Sequence, residues 1–347
     1  MTIPGEAGRG QTALPDLSDV LQAGENQRME DDDADSAIGS ETRSRSTSIA
    51  SSVLNYKYEN GRRYHAYREG AYLLPNDDME QNRLDLGHHI FRLVLGGQLY
   101  RAPITKNPQR ILDFGTGTGI WAIDMADEFP SAEIIGTDLS AIQPSWVPSN
   151  CKFYVEDVES DWTWSPDQKF DFIHGRGMAG GIGDWHRLYR QAYEHLKPGG
   201  WLEMQEYETE AHSDDGTLEA TTFIKAWQCQ INEASREFGK SFNEAAAQKE
   251  RLIEAGFVDV RDDIYKVPIG PWVKDPRLKE IGQYSLLGML EAVEPFTLAV
   301  ATRVLKLSTE EVRELIEGVK AEFQSGKYYL YGKVHFVYGR KPESQMS

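Results

Sequence analysis

The sequence predicts an α/β fold built on a mostly parallel, doubly wound sheet of seven strands, with an antiparallel last strand and helical insertions forming a cap. Three observations predict it. A short apolar strand, Ile111-Leu112-Asp113-Phe114, runs into the alternating glycines of Gly115-Thr116-Gly117-Thr118-Gly119, and a helical pattern follows at Ile120, Ile123, Ala126 and Phe129. Behind it, apolar strands and amphipathic helices alternate, the order that a parallel sheet requires. A helix then meets the turn Lys197-Pro198-Gly199-Gly200 and the strand Trp201–Gln205, with acids at Glu203 and Glu206.

Composition narrows the function classes. The 347 residues, 40% of them hydrophobic, suffice for one large domain or two modest ones. A net charge of -18 without a local basic patch argues against direct nucleic-acid binding and suits a basic partner better, although acidity also simply keeps many proteins soluble. Cys151 and Cys229 have neither metal nor disulfide spacing, which fits a reducing compartment. No run approaches the ~20 apolar residues of a membrane helix, and the N-terminus lacks an apolar signal core, so no membrane association and a cytoplasmic or nuclear location are expected.

Residues 1–53 read as a disordered tail, acidic at Glu30-Asp31-Asp32-Asp33 and Ser-rich, within which Thr42–Ser48 alternates basic and hydroxylated residues in a pattern open to phosphorylation. One domain spans 54–342, and 343–347 form a short tail. Residues 54–100 comprise an aromatic segment and a helix. Tyr56, Tyr58, Tyr64, Tyr67 and Tyr72, interleaved with Arg62, Arg63, His65 and Arg68, fit either a lid over a cationic ligand or a cover on an apolar flank of the core. Asp77 and Glu80 have capping-box spacing, Leu84, His88, Phe91 and Leu95 share one helical face, and Gly96-Gly97 ends the helix.

Strands are expected at Glu133–Thr137, Cys151–Val155, Phe170–His174, Val258–Val267 and Tyr328–Tyr338. A helix from Asp184 buries Trp185, Leu188, Ala192 and Leu196. The cap insertions fall at 207–250 and 270–326, the second carrying a capping box at Ser308-Thr309-Glu310-Glu311.

The glycine turn points to a nucleotide-like ligand. A dinucleotide fingerprint needs a third glycine at the position occupied by Ile120, which disfavours a nicotinamide dehydrogenase. Asp138, ending the next strand, is placed to accept both ribose hydroxyls of an adenosine, and Asp157 with Val158 is placed to meet an adenine. The glycine turn with its preceding acid resembles the first motif of class I S-adenosylmethionine (SAM) methyltransferases.

A wider set of segments carries the same likeness: Gly61–His65, Tyr72–Asp77, Leu112–Trp121, Asp171–Arg176 and Leu196–Glu203. Together they resemble the fungal LaeA-like, or TAM-domain, methyltransferases from about Tyr56 to Pro342. The resemblance implies a Rossmann-like domain with S-adenosyl-L-methionine as cofactor, work in fungal secondary metabolism, and in some members a nuclear location with a velvet-type regulatory partner. The expected cofactor set is Asp113, Gly115, Thr116, Gly117, Gly119, Asp138, Leu139, Asp157, Val158 and His174. Gly177–Gly183 departs from the family by its glycine content.

Methyl transfer from a sulfonium is an in-line displacement, for which placement alone accounts for ~7–11 kcal/mol of the barrier. It requires no metal, and none is expected. For an acceptor that must lose a proton, His174, Glu206 and Tyr207 stand near strand ends as candidate bases, with Tyr72 as a further catalytic candidate. His174 is the first choice among them, its alternative being a hydrogen bond to the structure or to the cofactor's methionine end, and Arg176 suits either an acidic neighbour or a substrate carboxylate. The acceptor is a small molecule or a protein. The rival to an enzyme is a SAM-binding regulator with little or no turnover.

Overall fold

The computed structural model describes residues 56–59, 61–65, 67–68 and 72–343; the expected tail, its Thr42–Ser48 segment and residues 344–347 lie outside the described residues. A short hairpin, β1 (Lys57–Glu59) and β2 (Arg62–Tyr64), precedes helix α1 (Asp78–Val94). Then follow β3 (Arg110–Phe114), α2 (Ile120–Glu128), β4 (Glu133–Asp138), β5 (Cys151–Val155), β6 (Phe170–Arg176), α3 (Trp185–His195) and β7 (Leu196–Tyr207). The chain ends with α4 (Phe223–Phe238), α5 (Gln248–Glu254), β8 (Val258–Pro268), α6 (Pro276–Val300), α7 (Thr309–Gln324) and β9 (Tyr331–Arg340).

Seven strands form one sheet in the order β5-β4-β3-β6-β7-β9-β8. From β5 to β7 every pairing is parallel, whereas β9 runs antiparallel to both β7 and β8. The last strand therefore does not merely flank the preceding one: it wedges between β7 and β8.

Phe170 pairs with Leu196, and the ladder resumes at Phe172↔Trp201, so the Lys197–Gly200 turn is a bulge inside β7 rather than a loop before it. One face of the sheet is covered by α3 and its neighbours through Trp185, Leu188, Tyr189 and Ala192. The other is covered by α1 and α2 through Ile90, Phe91, Trp121 and Met125. The two insertions pack on each other, α4 against α6 and α7, around Ile224, Trp227, Ile231, Val293 and Val319. Leu73 and Leu74 join this cap core, tying the segment before α1 to it.

Asp77 fastens the hairpin to α1. Its carboxylate caps the helix by accepting from the Glu80 amide and also takes both ends of the buried Arg62 guanidinium, at 2.5 and 2.9 Å. Glu80 does not return the capping bond; it pairs with Arg83 instead. Ser308 and Glu311 do form the reciprocal box at the start of α7.

Candidate functional site

A cavity of ≈ 870 Å³ lies across the C-terminal ends of β3 to β6. That is where an open α/β sheet holds its ligands, because each strand hands over to its helix there and leaves backbone groups facing outward. The glycine loop forms its floor. Gly115, Gly117 and Gly119 adopt φ of 64°, 58° and 83°, in the left-handed region that a side chain disfavours. Gly119 also caps α2, and a Cβ there would strike the Phe153 ring, so both its backbone and its packing require glycine. At Gly115 a Cβ would collide with the Met178 thioether, which rests on the loop.

Beneath the floor, Asp113 fixes the loop's shape. Its carboxylate accepts from the Thr116 hydroxyl at 2.5 Å and from His174 Nδ1 at 2.7 Å. Asp138 braces the side of the loop, accepting from the amides of Gly117 (2.9 Å) and Ser140 (2.8 Å). Burial pushes its carboxyl up to about 6 against those two amides. A carboxylate has about four lone-pair positions, so Asp138 retains capacity for a further donor from the cavity it lines.

Among the expected cofactor residues, Gly115, Gly117, Asp138, Leu139, Asp157 and Val158 line this cavity. Asp113, Thr116 and Gly119 hold the loop from behind. In the aromatic segment and the residues after it, Tyr72, Pro75 and Asn76 wall the cavity, while Tyr64 and Leu73 are buried. Arg68 reaches across to Asp157 at 3.4 Å, and Asn76 reaches Ser140 at 3.2 Å.

The expectation that His174 and Glu206 meet the ligand is corrected. His174 is fully buried, stacked on Trp121 with ring centroids 3.7 Å apart and planes 4° from parallel. Burial holds its imidazole below the ordinary value despite the Asp113 partner, so it is neutral and donates to Asp113. Its place is under the loop, not at the cavity. Glu206 is 1% exposed and accepts from the amides of Met178 (2.7 Å) and Ala179 (3.3 Å), pinning the loop after β6. Burial raises its carboxyl to about 8. Of the four catalytic candidates, only Tyr72 lines this cavity.

Both misplacements have one origin. The parallel ladder continues through Gly175↔Met204 and Arg176↔Gln205, two residues past His174, and β7 pairs with β9 as far as Tyr207↔Val334. The true strand ends are Arg176 and Tyr207, and these two side chains take the positions assigned to His174 and Glu206. Arg176 lines the cavity, over the Phe91 ring at 5.2 Å, and donates to His88 Nδ1 at 3.2 Å. His88 in turn contacts Asp124 through Nε2 at 3.0 Å, and Arg92 shares that carboxylate. Among the described residues no carboxylate comes within ion-pair distance of Arg176 itself, so the acidic neighbour open in the sequence is absent there.

Glu156 was also missed as a site residue. Its carboxyl lines the cavity beside Asp157 and is raised by burial. Its position at the end of β5 was the available signal. For the contribution of α1, through Glu80 and Leu84, the sequence offered none.

Comparison with known proteins bears on this geometry. The family profile of a methyltransferase domain matches residues 86–261. The chain is 44% identical over 303 residues to "Methyltransferase pytC" of Aspergillus terreus, covering 87% of this chain and 93% of that protein. It is 39% identical to "Secondary metabolism regulator LAE1" of Cochliobolus heterostrophus, covering 82% and 94%. With "Protein-methionine methyltransferase laeA" of Emericella nidulans the identity is 35%, covering 82% and 76%.

Proposed function

The chain belongs to the LaeA-like class I methyltransferases, enzymes that take their methyl group from S-adenosylmethionine, and on that premise we propose how its own residues hold the cofactor. The observation that carries the reading is the order of polar groups along one sheet edge. Glu156 and Asp157 follow β5, Asp138 ends β4, the glycine loop follows β3, and the guanidinium of Arg176 ends β6. Neighbouring strands lie ~4.8 Å apart, so the outer pair is separated by roughly 14 Å, the reach of a nucleoside bearing an amino-acid tail.

In this reading Glu156 and Asp157 face the adenine, and Asp138 accepts a ribose hydroxyl. The backbone of Gly115 and Gly117 passes close beneath the sulfonium, and Arg176 takes the carboxylate of the methionine end. A carboxylate there completes a guanidinium that otherwise meets only an imidazole and an aromatic face. Tyr72 closes the cavity from the lid side. The chemistry that SAM supplies is a methyl on a positively charged sulfur. The chain contributes placement and exclusion of water.

The acceptor belongs to fungal secondary metabolism in this reading, as the names of the relatives suggest, on the biosynthetic or the regulatory side. A velvet-type partner and a cytoplasmic or nuclear location rest on those names and on the family resemblance alone.

Calorimetry tests the cofactor assignment. Arg176→Gln is expected to weaken S-adenosylhomocysteine ~10- to 100-fold, as loss of a charged hydrogen bond does. Binding of 5′-methylthioadenosine, which lacks the carboxylate, should stay within twofold. Equal losses for both ligands, or none for either, would remove Arg176 from that role.

A further inference from the structure

We propose that a second cavity, next to the cofactor site along the same face of α1, binds the methyl acceptor, and that the acceptor is a small, neutral, largely apolar molecule with an oxygen function at one end. This rests on the methyltransferase reading above and deepens it.

The second cavity encloses ≈ 860 Å³ of space, part of it open to solvent. It lies between the sheet and the cap, so both insertions contribute to it. Ile90, Trp227, Ile231, Met289, Phe296 and Val334 supply apolar walls from α1, α4, α6 and β9.

Helix geometry makes the two cavities neighbours. Glu80 and Leu84 line the cofactor cavity, and Arg83 and Gly87, three residues further on in each case, line the second. The Glu80–Arg83 ion pair, bonded at 2.6 and 2.9 Å, is thus the partition between them. Tyr207 stands at the same wall: it lines the second cavity, and the charges of Arg176 and Arg83 both act on its phenol.

The charge inventory selects the class of ligand. Arg83 is held by Glu80. Glu208, the carboxylate that lines this cavity, already receives His212, Lys333 and His335. No charged side chain here is left to recognise a basic peptide or an anion. Tyr207 is different: among the described residues its hydroxyl has no hydrogen-bond partner. Burial lifts it to about 12, which keeps the proton on and makes it a donor for a ligand carbonyl or hydroxyl oxygen.

Three glycines at the wall, Gly87, Gly288 and Gly332, leave the space open. A Cβ on Gly332 meets nothing within 4 Å, and its backbone is not left-handed, so local packing and strain give no reason for glycine there. A side chain at 332 enters the cavity without disturbing the strand.

The test uses the full chain with Nile red as a neutral apolar probe, titrated in the presence of S-adenosylhomocysteine. Saturable one-to-one binding is expected. Gly332→Leu should weaken the dye at least tenfold and leave calorimetric affinity for S-adenosylhomocysteine within twofold. Ile231→Trp fills the same space from α4 and should reproduce the effect; the retained cofactor affinity shows that each variant is folded. No saturable dye binding, or equal binding by both folded variants, overturns the acceptor site. Displacement of the dye by a basic peptide overturns the ligand class. Wild-type chain that fails to bind S-adenosylhomocysteine overturns the cofactor reading instead, so the two failures are distinguishable.

Discussion

In the role proposed for it, Asp138 must be ionised to serve a ribose, in a place that resists ionisation. Its carboxyl is raised from the ordinary 3.8 to about 6 by burial, so the folded chain holds a proton that the unfolded chain has released between those values. The group therefore favours folding less as pH rises from about 4 to 6, the reverse of a salt-bridged carboxylate. Cofactor binding has the opposite demand, since the charged form accepts from the ribose. Affinity for S-adenosylhomocysteine is expected to fall as pH drops below about 6, with proton release on binding near that pH. Calorimetry in buffers of different ionisation enthalpy measures both. In Asp138→Asn the pH dependence should vanish and affinity at neutral pH should fall ~10- to 100-fold.

At the scale of elements, the glycine loop is a packed structure as well as a ligand floor. Gly119→Ala adds a Cβ at φ 83° against the Phe153 ring, combining a left-handed backbone cost of ~1–2 kcal/mol with overpacking of ~1–3 kcal/mol. Gly177→Ala, at φ 63° with nothing nearby, carries only the first. Denaturant midpoints should separate the two variants by more than ~1 kcal/mol; equal losses would mean the Phe153 contact is not felt. The same contrast shows what the sequence could disclose. Apolar runs and caps revealed every strand of the large sheet and most helices, because periodicity and turn chemistry are local. Strand ends were less legible, since a ladder stops where its neighbours stop. Two extra residues of pairing moved His174 into the core and brought Arg176 to the rim. Leu84 and Arg83, on a helix distant in sequence from the glycine loop, became wall and partition through tertiary packing alone.

The whole molecule places two cavities side by side along one face of α1, each closed partly by residues far apart in the chain. Ligand in either should therefore stabilise the entire sheet and cap rather than one loop. S-adenosylhomocysteine at about a hundred times its dissociation constant is expected to add ~2.7 kcal/mol and raise Tm by ~5 °C. Scanning calorimetry should show one transition moving as a unit; movement of only part of the heat absorption would mean the cap unfolds separately. The wedge position of β9 carries a consequence for how the protein is made. On the ribosome the strands of the cofactor half emerge first and can pair with one another, but β8 has only β9 as its neighbour in the sheet, and β9 lies at Tyr331–Arg340. Until that strand leaves the exit tunnel, β8 has no edge to join and β7 presents an open one, so a nascent chain carries an association-prone edge until β9 is out.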